Sequence, residues 1–184
     1  MTRTNWANVL TWSRLGLLIP ITIAAYLQMR IAVLVMFILA ETTDFLDGYI
    51  ARKTNMASER GAKLDSQVDN AMVPFVLAWL WLLFPNLVRE SQWYIVVVAA
   101  LLVLQLSIAR IRLGAITGLH LYSGKLLAIV SAGTLVSLFA FGVVEWTWIL
   151  WKITLIICMI SSLEDIVYLL KGGKNLDARF FWDP

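Results

Sequence analysis

Hydrophobic runs of membrane-spanning length dominate this chain and leave it few options. A helix needs about 20 predominantly apolar residues to cross a bilayer core. Six such stretches follow one another, near 13–29, 31–51, 63–84, 92–113, 121–142 and 146–170. Short polar or aromatic joints separate them: Gln28 to Arg30, an ERG stretch, PNLVRESQ and TGLHLYSG, while Gly172 and Gly173 mark a helix stop. With 60% hydrophobic and only 15% charged residues, 184 residues cannot clothe a soluble core with a polar shell. The expectation is an all-α integral membrane protein of six transmembrane helices, forming a single membrane domain over 1–184. No internal repeat, low-complexity segment or long linker divides it.

Charge sets the expected orientation. With the N-terminus inside, the inner span ends collect Arg3, Arg14, Arg52, Lys53, Arg60, Lys63, Arg110, Arg112, Lys125, Lys171, Lys174 and Arg179, and the outer ends keep Arg30, Arg89 and Lys152. This distribution, 12 of 15 cations inside, predicts a multi-pass protein of the cell (inner) membrane with both termini cytoplasmic. Trp93, Trp146, Trp148 and Trp182 fall near span ends, where an amphipathic ring suits the interface. The net charge is only +3 and no basic stripe exists, which argues against a nucleic-acid partner. Cys158, the single cysteine, sits in an apolar run and reads as a small hydrophobe. The N-terminal run leads into the hydrophobic chain without a small-residue cleavage site, so it is expected to be retained, with no lipidation signal at either end.

Carboxylates in or beside a spanning helix are expensive, so where they gather is informative. Asp44 and Asp47 lie three apart at the inner end of the second span, and Asp65 and Asp69 four apart at the inner start of the third. Each spacing puts the pair on one helix face, and an antiparallel hairpin can bring the two faces together. Four converging negative charges would repel one another unless divalent cations joined them. Hard oxygen donors suit Mg²⁺, Mn²⁺ or Ca²⁺, and the absence of Cys and His from the cluster argues against zinc. The bland alternative pairs these aspartates with Arg52, Lys53, Arg60 and Lys63 in a solvated loop. Gly48 and Gly61 stand where a close approach to backbone would be needed, though glycine also serves helix packing in membranes. Arg52, one turn beyond Gly48, can offer a planar donor fork to a phosphate.

Read together as DFLDGYIAR, eight residues, then GAKLDSQVD, residues 44–69 resemble the signature of the CDP-alcohol phosphotransferases, DxxDGxxAR(x8)GxxxDxxxD, at every specified position. NVLTWSR near the N-terminus is similar to the family's NxLTxxR. The resemblance implies six membrane helices around a polar active-site cavity on the cytoplasmic side. It implies that Asp44, Asp47, Asp65 and Asp69 hold divalent metal, two ions of Mg²⁺ or Mn²⁺, with Asp69 also acting as general base. It assigns Asn8, Thr11, Gly48, Arg52, Ser58 and Gly61 to CDP binding, with Ser58 keeping a hydroxyl where relatives commonly have Thr. Homodimerisation is usual in the family.

The implied reaction is phosphoryl transfer from a CDP-linked lipid to a polar alcohol acceptor at the membrane, releasing CMP. A phosphatidyl group would move from CDP-diacylglycerol, the donor branch that the short chain favours. Arg110, Arg112 and Lys125 gather on the inner side and could hold an acceptor's phosphate, or simply anchor the helices at the headgroups. His120 could assist there or be an ordinary interfacial histidine. IARIRLGAITGL resembles phosphatidylglycerophosphate synthases loosely, without their acidic ARE or ARD pattern, and makes glycerol 3-phosphate the first acceptor to consider. Inositol phosphate, serine, phosphatidylglycerol, or a CDP-choline or CDP-ethanolamine donor to diacylglycerol are alternatives. An intramembrane prenyltransferase would lack the DGxxAR element and normally has more spans, and a cation transporter should carry its carboxylates nearer mid-bilayer.

Overall fold

A computed structural model describes residues 6–53, 59–113 and 121–171, with side chains described at 16–43, 70–113 and 121–171. Seven helices fill these segments: α1 (Trp6–Tyr26), α2 (Arg30–Lys53), α3 (Glu59–Leu83), α4 (Pro85–Glu90), α5 (Gln92–Leu113), α6 (Tyr122–Phe141) and α7 (Glu145–Leu170). No strand occurs among the described residues. The six expected helices correspond to α1, α2, α3, α5, α6 and α7. Their ends differ from the apolar limits, since α1 starts earlier and α3 takes in the ERG stretch. Apolar length measures a bilayer, whereas backbone bonding continues into polar turns. The remaining helix, α4, occupies the expected joint PNLVRESQ. Pro85 in its first turn needs no N–H partner there and brings a helical φ, and Leu87, 2% exposed, ties the turn down.

The chain divides into two compact units, 1–83 and 84–184. In the first, α1 packs on both α2 and α3. Its buried Leu18, Ile21 and Ala25 form one stripe, and α2 presents Val33, Phe37 and Ala40 at matching helical spacing. Leu27–Met29 turn the chain, with Gln28 at φ 59° and the Met29 N–H donating to the Ala24 carbonyl at 2.9 Å. The Trp79 indole N–H, fully buried on α3, donates to the Thr22 hydroxyl on α1 at 2.8 Å, and the Gln28 amide donates to the Leu82 carbonyl at 2.8 Å. Those pairs are 57 and 54 residues apart while both members advance, so α1 and α3 run parallel and nearly in step. Pro20 and Pro74 sit inside these two helices. They are 54 residues apart, so by the offsets of 54 and 57 the missing N–H groups fall within about one turn of the same height.

In the second unit α7 is the common partner of α5 and α6. The Trp151 indole donates to the Ser91 hydroxyl at 2.8 Å and the Gln105 amide to Asp165 Oδ2 at 2.5 Å, each pair 60 residues apart. That constant offset makes α5 and α7 parallel and in step. Thr134 meets Thr154 at 2.7 Å and the Ser123 hydroxyl reaches Ser161 at 3.3 Å, with one member rising as the other falls, so α6 and α7 are antiparallel. Such small hydroxyl residues let helices approach closely where lipid gives no hydrophobic drive between them. At the α6–α7 joint Gly142 supplies φ 77°, a value disfavoured for a side-chain-bearing residue. The Thr147 hydroxyl accepts the Val144 N–H at 2.9 Å and so caps α7.

Helices α5, α6 and α7 are each long and apolar enough to cross a membrane, and Gly16–Tyr26 and Asn70–Leu83 are shorter apolar segments of α1 and α3. On α7 the apolar Ile149, Ile153, Ile156, Ile160 and Leu163 repeat along one exposed stripe. In water that stripe would be an aggregation surface; against acyl chains it is an ordinary lipid contact.

Candidate active site

The aspartate motif lies on two helix ends. Asp44, Asp47, Gly48 and Arg52 belong to the second half of α2, and Gly61, Asp65 and Asp69 to the first half of α3. Asn8 and Thr11 belong to the first turns of α1. The side chains of all these residues lie outside the described set, as do Ser58 and His120 entirely.

Backbone register nevertheless relates their heights. Carried down α1 and α3 at the separations of 54 and 57, Asn8 comes level with 62–65 and Thr11 with 65–68. Counted back from the turn centred on Gln28, Asn8 comes level with Gly48 and Thr11 with Phe45. The three helices therefore carry their polar motif residues at one height, some 20 residues from the turn on the α1 side. The heights follow from packing far from the motif, where Thr22–Trp79 and Gln28–Leu82 lock α1 to α3.

Spacing supplies the rest of what the backbone can say. Helical continuity through Asp44–Asp47 and through Asp65–Asp69 makes each pair a same-face pair. Four carboxylates and no sulfur or imidazole form a hard donor set, which fits Mg²⁺ or Mn²⁺ by ligand chemistry. Among the residues whose side chains are described, no group of three or more acidic, His or Cys side chains could hold a metal.

The cations assigned to an acceptor lie in the second unit. Arg110 and Arg112 are in the last turn of α5 and Lys125 in the first turn of α6, all exposed. Lys125 Nζ sits 5.6 Å from the centre of the Tyr122 ring, one turn away on the same helix. At the constant offset of 60, Arg110 is level with Leu170, the last residue of α7, and Arg112 lies beyond it. Both guanidiniums thus stand on the part of α5 where its packing partner ends. Cys158 is half-buried and free, in keeping with a packing role.

One polar group was missed from the sequence. Asp165 is 4% exposed on the α5-facing side of α7, receives its hydrogen bond from Gln105, and leaves Oδ1 without a partner. The signal was present, since an acid inside an apolar run with a glutamine in a neighbouring run is a pairing candidate. Only the offset between α5 and α7 shows that these two residues meet.

Comparison with known proteins gives the family. A model of the CDP-alcohol phosphatidyltransferase family matches residues 4–163. The chain is 37% identical over 79 residues to the CDP-diacylglycerol–glycerol-3-phosphate 3-phosphatidyltransferase of Rickettsia bellii (strain RML369-C), covering 41% of this chain and 44% of that protein. It is 43% identical over 77 residues to CDP-diacylglycerol–glycerol-3-phosphate 3-phosphatidyltransferase 2 of Arabidopsis thaliana, covering 40% and 33%. A cardiolipin synthase (CMP-forming) of Oryza sativa subsp. japonica is 42% identical over 65 residues, covering 34% and 20%. The matched stretch spans less than half the length of each of these relatives. No solved structure matches the chain.

Proposed function

Because the chain belongs to the CDP-alcohol phosphatidyltransferase family, we propose that it is an integral-membrane enzyme transferring a phosphatidyl group from CDP-diacylglycerol to glycerol 3-phosphate, with release of CMP. The observation that carries this reading is the unbroken run of signature residues from Asp44 to Asp69, inside the stretch matched by the family. The named activities of the Rickettsia and Arabidopsis relatives support glycerol 3-phosphate as acceptor. The rice relative's name favours a second reading, a cardiolipin-forming reaction on the same machinery. Family membership displaces the prenyltransferase and cation-transporter readings.

In this proposal α1, α2, α3, α5, α6 and α7 are six spans of one membrane domain, in the cell (inner) membrane, with both termini and a polar cavity on the cytoplasmic side, as the placement of cations supports. A homodimer is the expected assembly. Asp44, Asp47, Asp65 and Asp69 would hold two Mg²⁺ or Mn²⁺ ions, which when bound polarise the phosphoryl oxygens and offset charge on the leaving CMP. The Arg52 guanidinium offers paired donors to the diphosphate. Gly48 and Gly61 leave the nucleotide room to approach backbone, and Asn8, Thr11 and Ser58 add hydrogen-bonding groups. Asp69 takes the proton of the acceptor hydroxyl as that oxygen attacks the phosphorus distal to cytidine. The bond from that phosphorus to the CMP oxygen breaks as the new one forms. Arg110, Arg112 and Lys125 hold the acceptor's phosphate.

Purified protein supplied with CDP-diacylglycerol and Mn²⁺ or Mg²⁺ should release CMP with glycerol 3-phosphate. Serine, inositol phosphate and phosphatidylglycerol complete the acceptor panel. CMP release with none of them would remove the proposed reaction, and release with a different acceptor alone would move the assignment there.

A further inference from the structure

Helix α7 carries two charges on its uncovered side that no described residue neutralises. Glu145 in the first turn and Lys152 two turns on are both exposed, and neither has an ion-pair partner among the described residues. Lys152 Nζ instead lies 4.9 Å from the centre of the Trp148 ring. Each charge has an ordinary explanation when taken singly. An acid in the first turn suits the helix dipole, and a lysine can stretch from an apolar face toward water. Neither accounts for the order in which the groups follow one another along the helix.

At about 100° per residue, Glu145, Ile149, Lys152, Ile156, Ile160 and Leu163 fall within about 80° of one another on a single face. All six are exposed. Their depths follow from length. Helix α7 ends at Leu170, with Lys171 next and Arg110 of α5 level with that end. Counting back about 20 residues, the thickness of a bilayer core, puts the opposite edge of the hydrocarbon near residue 151. The headgroup layer adds about 5–7 Å beyond that edge. Helical side chains lean toward the N-terminus, and the Trp148 contact shows the Lys152 amine folded back by one turn, into the headgroup layer. Glu145 stands about 5 Å further out than Trp148, at the outer limit of that layer. From the membrane surface inward, the face therefore presents an acid, an aromatic ring with a cation, and then aliphatic side chains. A zwitterionic phospholipid presents an ammonium, a phosphate and acyl chains in the same direction.

We propose that this face of α7 binds one phospholipid whose headgroup ends in a primary ammonium, of the phosphatidylethanolamine class. Its phosphate meets Lys152, its ammonium donates to the Glu145 carboxylate, and an acyl chain lies along Ile156, Ile160 and Leu163. A primary ammonium keeps N–H donors for the carboxylate, whereas a trimethylated one has none. A headgroup without an ammonium leaves Glu145 unmatched. The proposal rests on α7 crossing a membrane, for which it is long and apolar enough, and not on the reaction proposed above.

Thermal unfolding of the full-length protein tests it, in detergent micelles titrated with phosphatidylethanolamine, phosphatidylcholine or phosphatidylglycerol of the same acyl chains. Wild-type protein should be half-saturated at about fivefold lower mole fraction of phosphatidylethanolamine than of phosphatidylglycerol, the upper range for one exposed ion pair. Phosphatidylcholine, which keeps the charge but cannot donate, should fall between them. At ten times the half-saturating fraction of phosphatidylethanolamine, Tm should have risen by about 3–6 °C. Glu145→Gln should bring phosphatidylethanolamine to the level of phosphatidylglycerol and leave the latter unchanged. Lys152→Met, which keeps the apolar stem, should weaken both by about fivefold. Phosphatidylglycerol or phosphatidylcholine binding wild-type protein as well as phosphatidylethanolamine does, or better, would overturn the proposal. So would a phosphatidylethanolamine preference that persists in both variants. The wild-type comparison needs no variant, so it decides the matter even if a substitution prevents folding.

Discussion

Removing the α1–α3 lock should separate packing from hydrogen bonding in this membrane fold. Trp79 is fully buried, its indole N–H donates to Thr22 Oγ1 at 2.8 Å, and the Thr22 hydroxyl donates to the Leu18 carbonyl at 2.7 Å. Thr22→Val keeps the shape and deprives only the indole of its acceptor. In water an unpaired buried donor costs about 1–3 kcal/mol. Between helices in lipid such bonds average about 0.6 kcal/mol, because separated helices find other partners. Thr22→Val should therefore cost about 1 kcal/mol or less. Trp79→Ala leaves a cavity that α1 and α3 cannot close, at about 3–5 kcal/mol. Packing should win by several-fold. Trp79→Phe removes the donor but leaves the Thr22 hydroxyl satisfied by Leu18, so adding Thr22→Val to it should cost nothing measurable. Equilibrium unfolding in mixed micelles, followed by far-UV circular dichroism, gives all four free energies. A Thr22→Val loss as large as that of Trp79→Ala, or full additivity in the double variant, would refute the reasoning.

Four shorter predictions concern both units. Asp69→Asn should lower turnover by about 10²–10⁴-fold while the protein stays folded and binds nucleotide; wild-type rates would remove Asp69 as base. Asp47→Asn should weaken metal and nucleotide binding together, seen as a higher metal concentration for half-maximal CMP release, and an unchanged metal dependence would count against its ligand role. Chelation with EDTA should abolish CMP release and added Mg²⁺ or Mn²⁺ restore it, whereas activity surviving exhaustive chelation would end the metal proposal. Thr134→Val and Thr154→Val should each cost about 0.6 kcal/mol in the same unfolding assay, and the double variant no more than either, since each change deletes the same shared bond.

The all-helical architecture was legible in the residues, because a continuous apolar run of bilayer length can satisfy its backbone only within itself. So was the family, because the signature residues of 44–69 can be read directly and lie inside the stretch that the family matches. Helix ends were less legible: α4 hides in a joint because a six-residue helix leaves no apolar period to read. Sequence could name Arg110 and Arg112 but not say that α7 stops beside them.

From its order of residues alone this chain determined its helices, its lipid-facing character and its carboxylate pairs, all of which depend on neighbours within a few turns. Tertiary structure alone decided which helix is central in each unit and which distant residues sit at one height. Trp79 and Thr22, or Gln105 and Asp165, are joined across long separations by a register that arises from the shapes packed between them. Two rods carrying the same sequences could slide by a turn without altering any local pattern, and only the fit of their surfaces forbids it.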